Sequence, residues 1–240
     1  MKKLMLATAL LALGSGLAAS QTVRLGTEGA YPPYNFINDQ GEVDGFERKL
    51  GDELCKRAAL TCEWTTNEWD SIIPNLQSGN YDVIIAGMSI TAERDEVINF
   101  SENYIPPAAS AYLALTPDVD VKTAVVSAQV STIQAGYVAE SGATLLEFAT
   151  PDETVAAVRN GEADAVFADK DYLAPIAAES NGELVLLAEE VQLGGGVGLG
   201  LRESDTDLKA KFDTAIQAMK ADGTLNALIK EYFGEAAVTF

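Results

Sequence analysis

From Thr22 onward the apolar positions switch repeatedly between a period of two and a helical period. "TVRLGT" and "CEWTTN" read as strands, and between them "GEVDGFERKLGDELCKRA" places Phe46, Leu50 and Leu54 on one helical face. "WDSIIPNLQSG" predicts a short helix, "YDVIIAG" a buried strand and "TAERDEVIN" a helix, with Gly79 and Asn80 turning the chain between the first two. Beyond "FSENYIPPAAS" a second series begins. Strands are predicted at "AYLALT", "TAVVSAQV", "TLLEFA", "EADAVFAD" and "ELVLLA". Helices are predicted at "STIQAGYVAESG", "PDETVAAVRNG" and "KDYLAPIAAES", and the chain closes on two more, split at Asp222-Gly223. Strands alternating with helices indicate mainly parallel sheets, and two such series indicate two α/β lobes.

"GGGVGLGLR" breaks this pattern. Gly194, Gly196, Gly198 and Gly200 recur with period two, which leaves one face of a strand bare. A bare face lets another backbone approach closely or permits dihedrals closed to other residues. No Lys-Ser/Thr follows and no GxGxxG register fits, so the segment is not a nucleotide loop. A crossover strand bending between the lobes is expected.

The first twenty residues, "MKKLMLATALLALGSGLAAS", carry two lysines, an apolar run and small residues at the end, the pattern of a secretory signal peptide. Residues 1–20 are therefore expected to be removed and the mature chain to start at Gln21, without a lipid anchor. The remaining chain of roughly 220 residues is long enough for two lobes of about a hundred residues each. The net charge of −20 becomes about −22 without Lys2 and Lys3. That surface disfavours nucleic acid and anionic lipid and mildly attracts cationic solutes. In an oxidising compartment Cys55 and Cys62, close together in "ELCKRAALTC", read as a disulfide between a helix end and the next strand. With no histidine in the sequence, Ser-His-Asp and Cys-His catalysis are excluded and a two-cysteine metal site lacks further ligands.

Ligands of open α/β sheets bind beyond the carboxyl ends of the strands. Glu28 and Tyr31 follow the first strand, and Ser89, Thr91 and Arg94 follow "YDVIIAG". Ser131 and Thr132 open a helix after "TAVVSAQV", and Asp169 ends "EADAVFAD". Arg94 has the wrong charge for the first turn of a helix capped by Thr91, where anions are favoured. Taken alone it reads more readily as a solvated charge balancing Glu93, Asp95 and Glu96. Together the residues match an α-amino acid. Its carboxylate pairs with Arg94 and with backbone N–H groups near Ser89 and Thr132. Its ammonium pairs with Asp169, which leaves Glu28 unspent beside Tyr31.

The ordered segments "GTEGAYPPYNF", "GFERKLGDELCKR", "WDSIIPNL", "AGMSITAERDEVINFS" and "KADGTLNALIKEYF" resemble the periplasmic amino-acid-binding proteins of ABC importers, nearest to the arginine and lysine/arginine/ornithine branch. The resemblance implies a two-lobed, hinged, type II binding-protein fold with the ligand in the interlobe cleft. Lobe one would comprise residues 21–110 and 198–240, and lobe two residues 111–197. It implies that Arg94, with backbone at Ser89 and Thr132, clamps the α-carboxylate. Asp169 and the Gly87 carbonyl would hold the α-ammonium, and Tyr31 and Trp69 would wall the side chain. Glu28 would meet a cationic tip, and Gln134 would make a polar contact. The cysteine pair matches a disulfide of the basic amino-acid relatives. Ser131 stands where glycine is common, and Ala86 and Gly87 replace serines of some relatives. The expected function is a periplasmic receptor for a basic L-amino acid, arginine ahead of lysine and ornithine. It would be a monomer that needs no cofactor and delivers its ligand to permease subunits. Two alternatives stay open: an exported enzyme on the same fold, such as a dehydratase of prephenate-like acids, and a sensory module.

Overall fold

The computed structural model describes residues 22–240; the predicted leader and the start at Gln21 lie outside the described residues. The chain opens with β1 (Val23–Thr27) and a small antiparallel sheet of β2 (Ala30–Tyr31), β3 (Asn35–Ile37) and β4 (Val43–Asp44). Helix α1 (Phe46–Arg57) follows, then β5 (Cys62–Thr66), a 3-10 turn at Trp69–Ser71, α2 (Ile72–Gln77) and β6 (Val83–Ile84). A single turn α3 (Ala92–Asp95) leads into β7 (Asn99–Ile105). The second series runs β8 (Ala109–Ala114), β9 (Val125–Gln129), α4 (Ile133–Ser141), β10 (Thr144–Phe148) and α5 (Pro151–Arg159). It continues with β11 (Ala165–Asp169), α6 (Lys170–Glu179) and β12 (Val185–Gln192). The chain then returns through β13 (Val197–Leu201) to α7 (Thr206–Ala221) and α8 (Thr224–Phe233).

The strands form two five-stranded sheets, ordered β5-β1-β6-β13-β7 and β10-β9-β11-β8-β12. Within each, three strands are parallel, one crossover strand (β13 or β8) runs antiparallel to them, and the edge strand beyond it (β7 or β12) pairs antiparallel with that strand and so points the same way as the first three. Parallel neighbours need a helix to return the chain; the crossover strands do not, which is why the mixed pattern appears only there. The predicted face of α1 is correct: Phe46, Leu50 and Leu54 are fully buried, packed beside α7 and α8. The Cys55–Cys62 disulfide ties the end of α1 to β5.

Three predicted elements change in extent. The run Tyr81–Ala86 is buried as expected, yet only Val83–Ile84 is strand, because the chain turns away at Gly87, whose φ is +62°. The helix predicted over "TAERDEVIN" stops after one turn: the Val97 and Ile98 N–H groups both donate to the Arg94 carbonyl, closing a turn, and β7 begins at Asn99. Strand β7 lies in a segment to which no element was assigned from the sequence; it pairs antiparallel with β13.

The sheets are joined by two short connectors, 106–108 and 193–196, lying side by side. Gly196 has φ +92°, and a Cβ there would lie 2.5 Å from the Ile105 carbonyl oxygen and 3.2 Å from Pro107 N. The bare glycine face thus serves the close approach of one connector to the other. Gly196→Ala combines a left-handed φ with a backbone clash and is expected to cost about 2–4 kcal/mol. Urea denaturation of the mature protein measures it, and a midpoint equal to that of the parent would contradict the role given to this glycine.

Candidate functional site

The carboxyl ends of both sheets' parallel strands face one cleft, and every ligand residue expected from the sequence lines a single small cavity there of about 30 Å³. Ala86, Gln129 and Ile133 complete the wall.

Arg94 reaches the cavity from α3, whose N-cap is Thr91: the Arg94 N–H donates to Thr91 Oγ1 at 3.1 Å. One turn of helix carries little dipole, so the guanidinium itself supplies the positive charge, contrary to the fuller helix terminus expected from the sequence. Its Nη1 donates to the Ser89 carbonyl at 2.9 Å and its Nη2 to the Ser131 carbonyl at 3.3 Å, while its carbon lies 5.4 Å from the Trp69 ring centre. Trp69 Nε1 donates to the same Ser131 carbonyl at 3.4 Å. Burial lowers the Arg94 pKa to about 10, with Asp169 and Glu93 opposing the shift, so the group stays cationic at neutral pH. Ser131 has φ +59°, a conformation that glycine adopts without cost. The Ser131 carbonyl accepts from both Trp69 and Arg94. Thr132 caps α4 by accepting the Ala135 N–H at 3.1 Å.

Asp169 sits at the end of β11. Its Oδ2 accepts the Tyr31 hydroxyl at 2.8 Å and its Oδ1 accepts Gln134 Nε2 at 3.0 Å. It makes no side-chain cap to α6, so capping does not explain it. Burial raises its pKa to about 6 against the pull of these hydrogen bonds and of Arg94. Tyr31 is buried and stacks on Tyr172 of α6, ring centres 4.3 Å apart. Ser89 is buried and bridges to Val197 of β13, which brings the crossover strand to the rim.

Glu28 follows β1. Its Oε1 accepts Gln129 Nε2 at 2.6 Å, and the same Nε2 donates to the Ala149 carbonyl at 3.1 Å. Burial raises Glu28 to about 7, opposed by the Gln129 bond and reinforced by Glu68, Asp152 and Glu47. Among the described residues neither Glu28 nor Asp169 has a cation within ion-pair distance, and Arg94 has no carboxylate. Gln129 was missed from the sequence. It is the last residue of β9, at the strand end where polar residues matter, but the sequence reading of that edge began at Ser131.

A family model for bacterial extracellular solute-binding proteins, family 3, matches residues 23–235. The chain belongs to that family. The lysine/arginine/ornithine-binding periplasmic protein of Escherichia coli K12 is 30% identical, with 97% of each chain covered. A periplasmic His/Glu/Gln/Arg/opine family-binding protein from Silicibacter pomeroyi, solved in complex with lysine, is 72% identical. It superimposes with a TM-score of 0.90 over 91% of this chain and 100% of that one. An ancestral amino acid-binding protein, precursor of cyclohexadienyl dehydratase, is 28% identical, with a TM-score of 0.80 over 88% of this chain and 95% of that one.

Glu28 and Asp169 carry a pH signature. Both pKa values lie above their unfolded values, so the native state holds protons that the unfolded chain has lost. Stability of the ligand-free protein therefore falls as pH rises from about 4 to about 7 and then levels off. The loss is on the order of 1–3 kcal/mol. Denaturation midpoints measured across this range should decline, and Glu28→Gln should flatten the decline. A ligand-free protein whose stability rises steadily from pH 5 to pH 8 would contradict the assignment.

Proposed function

We propose that this protein is an exported receptor that captures a basic L-amino acid between two hinged lobes and delivers it to an ABC importer. The observation that carries the reading is the charge in the cleft. One guanidinium and two carboxylates, each without an opposite charge beside it, are complementary to an anion and two cations. A basic amino acid supplies that set. Arg94, with the backbone at Ser89 and Thr132, takes the α-carboxylate. Asp169, with the Gly87 carbonyl, takes the α-ammonium, and Glu28 takes the side-chain tip. Tyr31 and Trp69 flank the methylenes, and Gln134 holds Asp169 in place.

Closure follows from where these groups come from. Glu28, Trp69 and Arg94 stand on the β1-β6 side, Thr132 and Asp169 on the β9-β11 side, and the two connectors are the natural hinge. Lobe one would span 21–110 and 198–240, lobe two 111–197. The leader-like first twenty residues support export, and the periplasmic relative supports the same compartment. All three named similar proteins are amino-acid-binding proteins by their descriptions, the third being a precursor of a dehydratase, and that favours a receptor over an enzyme.

Within the basic class, the flat Trp69 and Tyr31 rings favour arginine, whose guanidinium stacks. A second order, lysine first, is favoured by Gln129. Its amide already donates to Glu28 Oε1, so a guanidinium taking both carboxylate oxygens must share Oε1 with it, whereas a compact ammonium needs one acceptor. The Silicibacter protein with its bound lysine supports this second order.

Competition calorimetry on the mature protein tests the proposal. Lysine, arginine and ornithine should each outcompete glutamine and glutamate, because a neutral tip leaves Glu28 desolvated at about 1–3 kcal/mol. Arg94→Ala should weaken the preferred ligand by about 2–5 kcal/mol. Tighter binding of glutamine or glutamate by the parent protein, or a chemically altered product after incubation, would refute the receptor reading.

A further inference from the structure

One carboxylate in the first lobe has no place in the charge count above. Glu47, the second residue of α1, is fully buried beside Phe46 and Leu50 on the face that packs into the core. Its partners are all neutral donors. Oε1 accepts the Gly87 N–H at 2.6 Å and the hydroxyl of buried Tyr104, and Oε2 accepts Asn35 Nδ2 at 2.7 Å. Asn35, also fully buried, passes the contact on: its Oδ1 accepts the Gly29 N–H at 2.7 Å. That bond fixes which end of the Asn35 amide is which, so its NH₂ must face Glu47. Two N–H donors and a hydroxyl converge on the carboxyl group, and these bonds favour its ionised form while burial raises its pKa.

A buried carboxylate without a cation is costly, and a core position so close to Phe46 and Leu50 would suit an apolar residue. What it gains is control over two peptide planes. The Gly87 N–H is held at one end and the Gly29 N–H at the other. Since peptide units are planar, these bonds fix the Ala86–Gly87 and Glu28–Gly29 units. Both glycines have positive φ, +62° and +75°, where no side chain restrains the turn. The first turn follows β6 and carries Gly87 on the cavity wall; the second follows β1 and sets the root of Glu28.

We infer that Glu47 is a positioning residue: through Gly87 directly, and through Asn35 to Gly29, it sets the two loops that present Gly87 and Glu28 to a cationic amino acid. The inference rests on the proposed basic amino-acid reading for its ligand, and it predicts an effect on affinity and selectivity that stability alone does not produce. Glu47→Gln puts an amide NH₂ against either the Asn35 NH₂ or the Gly87 N–H, so one donor pair must part. Asn35→Asp reverses the polarity of the other partner. In the double variant the carboxylate introduced at position 35 accepts both the Gly29 N–H and the NH₂ of the amide introduced at position 47. The oxygen of that amide accepts the Gly87 N–H and the Tyr104 hydroxyl. Every hydrogen bond is then restored, with the charge moved from the helix to β3.

The test is binding of lysine, arginine and glutamine by calorimetry at a temperature where melting curves show each variant fully folded. Glu47→Gln is expected to lose tenfold or more in affinity for lysine and arginine, with a smaller loss for glutamine. The double variant is expected to recover most of it. Folded Glu47→Gln with parental affinities, or a folded double variant that recovers stability but not affinity, overturns the inference. Should neither variant fold, Asn35→Ala decides: it cuts only the arm to Gly29 and is expected to lower the preference for lysine and arginine over glutamine severalfold. An unchanged preference there also overturns it. A parent protein that binds no basic amino acid instead refutes the proposed function, and that outcome is distinct from all of these.

Discussion

Two carboxylates and a guanidinium share one cavity without neutralising one another, and the surrounding architecture follows from that constraint. Taking ions out of water without partners is unfavourable, and the cleft moderates the cost with neutral donors and acceptors. Tyr31 and Gln134 donate to Asp169, Gln129 donates to Glu28, and the Ser89 and Ser131 carbonyls accept from Arg94. These bonds orient the charges but leave them uncompensated. The raised pKa values of Glu28 and Asp169, and the lowered one of Arg94, express the same fact. On the proposed reading, the ligand brings the missing charges.

The fold supplies the geometry. Parallel strands end on the cleft side of both sheets, so the loops beyond them converge without any residue having to reach far. The paired antiparallel crossover strands carry the chain out and back through adjacent connectors. Gly196 allows those connectors to lie in contact. Behind the cleft, Glu47 and Asn35 extend the polar framework into the core of the first lobe, where the sequence pattern shows only an apolar helix face.

Much of this was legible in the sequence because it is written in local signals. Strand ends followed by polar residues marked Glu28, Ser89, Arg94, Thr132 and Asp169, and the period of Phe46, Leu50 and Leu54 marked the buried face of α1. The glycine alternation marked a close approach, though the strand it forms begins only at Val197. What escaped depends on partners distant in the chain. Strand β7 owes its extended form to β13, which lies far away in sequence. Gln129 matters because Glu28 lies across the cleft from it. Glu47 looks like an ordinary helix-start acid until Asn35, Gly87 and Tyr104 are brought around it. Helix α3 was overextended because Val97 and Ile98 fit a helical period, whereas their N–H groups close a turn on the Arg94 carbonyl.

A crystal structure of the mature protein grown with lysine tests the central claim most directly. The account predicts the lysine α-carboxylate on Arg94, its α-ammonium on Asp169 and its side-chain ammonium against Glu28, within hydrogen-bond distance of a carboxylate oxygen. A lysine whose ammonium points away from Glu28, with Glu28 still bonded to Gln129 alone, would contradict it.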